Sequence, residues 1–322
     1  MWTHPRAIGL LIGYGLDRVF ADPKRWHPVA GFGTTALHVE RVLYRDSRSV
    51  GVIHASTLIG SAAAIGIASS RAAARMGAPV ETVLVAAATW VALGGTSLSR
   101  VGGQMADCLD SDDLVGARAL LPSLCGRDPE SLDSDGLARA ALESIAENTS
   151  DAAVGVLVWG ACAGVPGILA YRASNTLDAM VGYRSEKYLR FGWAAARIDD
   201  VLNLVPARAT GLATVLAAPL VHGSPVEAAK MWRRDASKHP SPNAGVAEAS
   251  AAGALGLQLG GRTQYRHGVE NRPTLGDGAS PTARDLRRAV TLSTRVQELS
   301  VIASAILAVA IGQARIRRHR RT

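Results

Sequence analysis

Aromatic residues make up only 5% of this 322-residue chain, charged residues only 19%, and cysteines number three. Cys108, Cys125 and Cys162 are odd in number and show no C-x-x-C spacing, which excludes a disulfide scaffold and a structural cysteine-zinc site. Several nucleotide and hydrolase signatures are also missing: no G-x-x-x-x-G-K-[ST] loop, no G-x-G-x-x-G after a strand, no H-E-x-x-H and no G-x-S-x-G. A nucleotide, if used, is therefore held by none of the common motifs. Period-2 alternation is scarce, so few strands are expected. What remains is a chain 48% hydrophobic with a positive mean hydropathy of +0.13, which excludes a disordered protein and admits a membrane one.

Charge is unevenly spread over the net +8. Residues 100–151 hold four basic and eleven acidic side chains, whereas residues 315–321 hold five arginines and no acid. A basic end beside an apolar run fits a cytoplasmic membrane flank better than a nucleic-acid arm, so no nucleic-acid partner is expected. Residues 51–70, 82–99, 152–171, 209–226 and 299–314 carry no Asp, Glu, Lys or Arg. A bilayer is crossed by roughly 20 apolar residues, so the expected fold is all-α and polytopic, with about four to six membrane-embedded helices. Large polar loops are expected near 100–151, 172–208 and 227–298, with a basic tail at 315–322, all in one domain spanning 1–322. Residues 7–16 read as a retained, partly buried helix. Gly164, Val165, Pro166 and Gly167 interrupt the 152–171 run, which predicts a broken, re-entrant hairpin there. Loops are expected at 22–28, 219–225, 239–243 and 270–281.

Four polar constellations stand out. Glu143, Glu147 and Asp151 are spaced four apart, placing three carboxylates on one helical stripe whose mutual repulsion Mg²⁺ would relieve; a solvated acidic face is the alternative. A second runs from Tyr171 through Asn175, Asp178, Gly182, Tyr183, Glu186, Lys187 and Tyr188, with Asn175 and Asp178 on one helix face. In the third, Arg197, Asp199, Asp200, Asn203 and Arg208 form an oxygen-rich face flanked by arginines, a pattern suited to Mg²⁺ and phosphate. The fourth, residues 234–245, contains Pro240 and Pro242 in a rigid turn presenting Lys238, His239, Ser241 and Asn243. There Asn243 is also a natural cap for the alanine-rich stretch that follows.

In this order and spacing the chain resembles the CobD/CbiB family, the adenosylcobinamide-phosphate synthases of cobalamin biosynthesis. The resemblance begins at Asp17, Asp22-Pro23 and His27-Pro28-Val29 and continues through Gly126-Arg127-Asp128 and the 143–151 block. It runs on through 171–178, Gly182-Tyr183, Phe191-Gly192-Trp193, 197–208 and 234–245 to Gly260-Gly261. Thr149-Ser150 is a departure, standing where apolar residues are expected before Asp151.

The resemblance implies a multi-pass protein of the cell (inner) membrane. It would use ATP and Mg²⁺ to join (R)-1-aminopropan-2-yl phosphate, or aminopropanol, to the free propionate of adenosylcobyric acid, through an acyl phosphate. On that reading Glu143, Glu147, Asp151, Asp199 and Asp200 hold Mg²⁺. Asn148, Asn175, Asp178, Asn203, Ser241 and Asn243 complete the cofactor site. Arg197, Arg208, Lys187 and Lys238 meet phosphates, and His27 or His239 takes a proton. Expected partners are the corrinoid and amino-alcohol phosphate substrates, membrane lipid and other late corrinoid-pathway enzymes. A Mg²⁺-dependent transferase acting on a prenyl or lipid diphosphate, and a non-catalytic transporter or scaffold, remain the alternatives.

Overall fold

The computed structural model describes residues 4–22, 27–183, 185–265 and 268–319. Pro23 of the resemblance, most of the expected 22–28 loop and the last residues of the basic tail lie outside them. The described chain is helical apart from one antiparallel hairpin, β1 (Leu259–Tyr265) and β2 (Gly268–Leu275), so the all-α expectation holds. The hairpin corrects the loop expected at 270–281: its first part is β2, paired through Leu259↔Leu275 and Thr263↔Glu270. That ladder rests on pairing between two short runs, which helical periodicity does not register.

Among the described residues four stretches are long and apolar enough to cross a membrane: Arg48–Met76, Ala78–Asp110, Leu204–Val221 and Ala283–Ala314. They match four of the five runs read from the sequence. The fifth, 152–171, is broken in two.

The chain divides into two compact units, residues 1–94, 155–203 and 301–322 in the first and residues 95–154 and 204–300 in the second. The first holds α1 (Pro5–Phe20), α2 (Pro28–Leu43), α3 (Arg48–Met76), α4 (Ala78–Ala92), α8 (Gly155–Ala163), α9 (Val165–Val181) and α10 (Trp193–Leu202). Of these, α1, α2, α4 and α9 each carry proline in the first turn, where its missing N–H has no helical partner to lose. Its core brings Ala55 and Leu58 of α3, Leu177 and Val181 of α9, and Ala194 and Ala195 of α10 around Tyr188 and Phe191.

Between α8 and α9, Gly164 has φ +69°, a left-handed conformation that glycine adopts at little cost. There the chain reverses. A Cβ on Gly167 would lie 2.5 Å from the Trp159 carbonyl oxygen and one on Gly160 3.2 Å from Ile168, while Gly155 faces the Tyr171 ring, so α8 and α9 pack antiparallel. Pro166 therefore opens α9 rather than bending a continuous helix.

α1 and α4 approach closely through Gly9 and Gly13: a Cβ at Gly13 would lie 2.5 Å from that of Thr89, and one at Gly9 2.6 Å from that of Val85. Small residues four apart permit such backbone approach in an apolar setting. Gly13→Ala is expected to cost on the order of 1 kcal/mol through overpacking. A melting temperature unchanged from the wild type in detergent would contradict that packing.

The second unit holds α5 (Gly95–Asp110), α6 (Leu114–Leu120), α7 (Ser134–Thr149), α11 (Leu204–Ala217), α12 (Pro225–Asp235), α13 (Ala244–Leu255) and the hairpin. α14 (Ala283–His319) gives its first part to this unit and its last part to the other. All twelve residues of α13 are buried, which its alanine and glycine content allows by letting α11 and α12 pack close. Asp235, fully buried at the end of α12, accepts from Arg234, from Lys238 at 2.7 Å and from the Gly276 N–H at 2.8 Å after β2. These partners hold its carboxyl far below the ordinary carboxylate range, the Arg234 guanidinium contributing most.

Candidate functional site

The second unit contains a buried network of opposite charges. Glu143, on the face of α7 turned to the core, ion-pairs with Arg127 and with Arg272 of β2 (3.2 Å), and its Oε1 accepts from the Gly260 N–H at 2.7 Å. The Arg272 Nη2 also donates to Glu248 Oε1 (3.1 Å) and to His239 Nε2. With Nε2 engaged, His239 is oriented through Nδ1, which faces the Ser241 carbonyl at 3.2 Å and the Ser241 N–H at 3.0 Å. Burial first, and the adjacent Arg272 second, push its pKa down to about 4, so the ring is neutral at pH 7.

Glu248 sits mid-way along α13, 1% exposed, and its Oε2 has no hydrogen-bond partner among the described residues. Burial, reinforced by nearby Glu143, raises its carboxyl to about 8. Glu147 is also shifted up by burial, against the pull of Arg272.

Around this network the remaining residues of the first and fourth constellations fall into local roles. Asn148 donates to the Ser144 carbonyl and hydroxyl at 2.9 and 3.0 Å. Asp151 lies in a π-helical turn, Ser150–Val154, whose wider winding moves it off the four-residue stripe of Glu143 and Glu147. Lys238 sits on Asp235. Asn243 does not cap α13 through its side chain, which accepts instead from Arg208 Nη1 at 2.8 Å. The cap is Ser241, whose Oγ accepts from the Ala244 and Asn243 N–H groups at 3.2 and 3.3 Å. Ser241→Ala should therefore cost about 1 kcal/mol, the usual loss of a capping oxygen. Equal destabilisation by Asn243→Ala and Ser241→Ala in thermal melts, with Arg208→Ala neutral, would reverse the assignment.

In the first unit a second polar chain is buried. The Tyr171 hydroxyl donates to Asn203 Oδ1 at 2.7 Å, and Asn203 Nδ2 donates to Asp199 Oδ2 at 2.8 Å. Asp200 is half-buried and loosely paired with exposed Arg197 at 3.9 Å, and burial raises its carboxyl. Asn175 Oδ1 accepts from Arg172 at 3.1 Å, and Asp178 is half-buried one turn further along α9. Lys187 ion-pairs with buried Glu40 at 2.7 Å and donates to the Tyr188 hydroxyl, which itself donates to Glu40 at 2.9 Å. The bond to Glu40 holds the Lys187 ammonium charged well above its ordinary range. His27 caps α2, its Nδ1 accepting from the Val29 N–H at 3.1 Å.

Of the five proposed metal ligands, Glu143, Glu147 and Asp151 belong to the second unit and Asp199 and Asp200 to the first. Among the described residues no three His, Cys, Asp or Glu side chains gather as a metal-binding group. Both oxygens of Glu143 are already engaged by two guanidiniums and a backbone N–H. The described carboxylates therefore do not fit a preformed Mg²⁺ cage.

Arg127 and Asp235 stand in the motif residues; Arg272, Glu248 and Glu40 are the residues sequence reasoning passed over. Glu248 carried a signal, being the one charge among the apolar and small residues 244–259.

A family model described as CobD/Cbib protein matches residues 10–293. The chain is 57% identical over 302 residues, covering 94% of itself and 96% of the relative, to "Cobalamin biosynthesis protein CobD" of Mycobacterium tuberculosis (strain CDC 1551 / Oshkosh). It is 40% identical over 310 residues (95% and 98% covered) to the protein of that name in Chromobacterium violaceum, and 39% identical over 321 residues (94% and 98%) to that in Rhodobacter capsulatus. No solved structure matches it. With the family model spanning most of the chain and relatives matched nearly end to end, this protein belongs to the CobD/CbiB family.

Proposed function

We propose that this chain acts in cobalamin biosynthesis as a multi-pass enzyme of the cell inner membrane. It would join (R)-1-aminopropan-2-yl phosphate, or aminopropanol, to the free propionate of adenosylcobyric acid at the expense of ATP. The observation that carries the reading is the family match over residues 10–293. Four membrane-competent stretches and two buried polar networks among the described residues support it.

In the proposed reaction the propionate oxygen attacks the γ-phosphorus of ATP, releasing ADP and leaving an acyl phosphate. The amine then attacks the acyl carbon, the C–O bond to phosphate breaks, and inorganic phosphate departs. Ammonium, carboxylate and ATP thus give amide, ADP, hydrogen phosphate and one proton. Arg197 and Arg208, both exposed, are proposed to meet phosphate oxygens. Lys187 and Lys238, each paired with a buried carboxylate, are proposed to lend positive charge to phosphate oxygens. His239 is proposed to orient Arg272 rather than take the proton, because its Nε2 lone pair faces that guanidinium. Mg²⁺ is proposed to arrive with the triphosphate, whose charge it neutralises.

The test is product mass after incubating detergent-purified protein with adenosylcobyric acid, Mg²⁺, ATP and either amine. An ATP-dependent gain matching amide formation is expected. Folded protein giving no product with either amine would overturn the proposal in favour of a transferase or scaffold.

A further inference from the structure

The first unit holds a cavity of about 360 Å³ between α2, α3, α4 and α9. Its size follows from composition. Ala62, Ala88, Ala92 and Ala173 each contribute no more than a methyl group to its wall, so the helices meet around a space their own side chains are too short to fill. Phe32, Leu58 and Leu169 supply further apolar wall. The polar side chains along it are engaged within the protein. Thr35 and Thr176 donate their hydroxyl protons to the carbonyls of Gly31 (3.0 Å) and Arg172 (2.8 Å) on their own helices, and Arg172 donates to Asn175 Oδ1 at 3.1 Å.

Pro28 and Thr35 of α2 and Ser61 and Ile65 of α3 are the exposed residues of the lining, whereas Leu58, Ala92 and Ala173 are buried, so the cavity opens between α2 and α3. α3 is itself membrane-competent, and residues 58–65 are the middle of its 29. At 1.5 Å per residue a helix of that length outspans a hydrocarbon core of roughly 30 Å, so its middle lies among acyl chains rather than headgroups. Ile53 and Ile67, before and after that stretch, are exposed as well.

We propose that this cavity holds an acyl chain of a membrane phospholipid, which enters sideways between α2 and α3 while its headgroup stays at the membrane surface. An apolar cavity does not hold water, and left dry its lining forfeits dispersion contacts. Methylene groups supply those contacts and need no hydrogen-bond partner. The medium beside the opening is made of them. A charged or strongly polar ligand would instead lose its water at mid-membrane depth, beside side chains whose donors are already spent. Seated there, the chain packs between α2, which His27 caps, and α9, which carries Asn175 and Asp178. It thereby braces two of the segments that bear polar motif residues. The assignment does not depend on the ligase reading.

The experiment reconstitutes the full chain in phosphatidylcholine vesicles that include a phosphatidylcholine with a photoactivatable diazirine in the middle of one acyl chain. After irradiation and digestion, labelled residues are located by mass spectrometry. Label is expected on Leu58, Ala92 and Ala173, which lipid merely surrounding the protein does not reach, as well as on exposed Ile53 and Ile67. Ala62→Leu puts added carbons into the same volume and should lower labelling of the three buried residues about tenfold, the scale on which overpacking disfavours an occupant. Ala64→Leu, on the exposed side of α3 and outside the cavity lining, should leave that labelling unchanged. Label confined to Ile53 and Ile67 in the wild type leaves the cavity to another occupant and overturns the proposal. Undiminished labelling of the buried residues in Ala62→Leu, at unchanged melting temperature, overturns it too. The wild-type pattern decides the matter even where Ala62→Leu fails to fold.

Discussion

Glu143→Ala is expected to destabilise the protein by about 3–5 kcal/mol, the cost of removing one member of a buried ion pair. The physical cause is the partners left behind. Arg127 is 5% exposed and Arg272 is largely enclosed, and both direct guanidinium nitrogens at Glu143 Oε2. Without the carboxylate two cations face one another in a poorly solvated interior, and the Gly260 N–H loses its acceptor. Glu143→Gln should be milder, because the amide oxygen still accepts from Gly260 although the charge is lost. The measurement is thermal unfolding of detergent-purified variants. A melting temperature for Glu143→Ala within error of the wild type would falsify the network's structural role. Were Glu143 instead a metal ligand, the loss should depend on added Mg²⁺, which the ion-pair account does not predict.

Stability should fall as pH rises from 6.5 to 8, and Glu248→Gln should flatten that slope. Glu248 is raised by burial from 4.5 to about 8, so between those values the folded protein holds a proton that the unfolded chain has released. Folding is therefore weakened as pH climbs through that window, by up to about 1.4 kcal/mol per pH unit for one proton. His239 works in the opposite direction. Its pKa falls from 6.5 to about 4, so from 4 to 6.5 the unfolded chain holds the extra proton and stability rises with pH. The two oppose each other between 4.5 and 6.5, which leaves 6.5 to 8 as the window in which Glu248 is read without His239. Glu147, shifted the same way as Glu248, keeps part of the slope in the variant. Melting curves at several pH values decide the matter: identical slopes for wild type and Glu248→Gln would place the titration elsewhere.

Much of the helical framework was legible in the sequence because it depends on local composition. An uncharged run such as 51–70 has to be helical if it enters a bilayer, since no other open structure satisfies its own backbone there. Gly164 and Pro166 likewise marked a break before the geometry showed α8 and α9 folded against each other. The hairpin β1–β2 was not legible. Its strands are short, and β2 resembles a loop until Leu259–Tyr265 is placed beside it.

The candidate site was legible in kind but less so in detail. Asp199 and Asn203 do share a face, because four residues is close to one helical turn and Asn203, the C-cap of α10, still donates its N–H to the Asp199 carbonyl at 2.9 Å. Asp151 was read onto the stripe of Glu143 and Glu147, yet a π-turn intervenes, and such a turn has no mark in the spacing of carboxylates. Asn243 and Ser241 are both good capping residues. Which of them caps α13 was decided by Arg208, 35 residues away, which takes the Asn243 oxygen.

By itself the sequence determined that this chain is built of apolar helices and belongs to the CobD/CbiB family, because both are properties of residue order and local hydropathy. Only the tertiary structure decided which charges are spent on one another. Arg272 reaches Glu143 across 129 residues, and Lys187 reaches Glu40 through the packing of distant helices. Whether a carboxylate is a solvated acid, an ion-pair partner or a group that holds its proton near neutrality depends on distances of a few ångströms and on exclusion of water. Both are set by folding and neither is written in the spacing of residues along the chain.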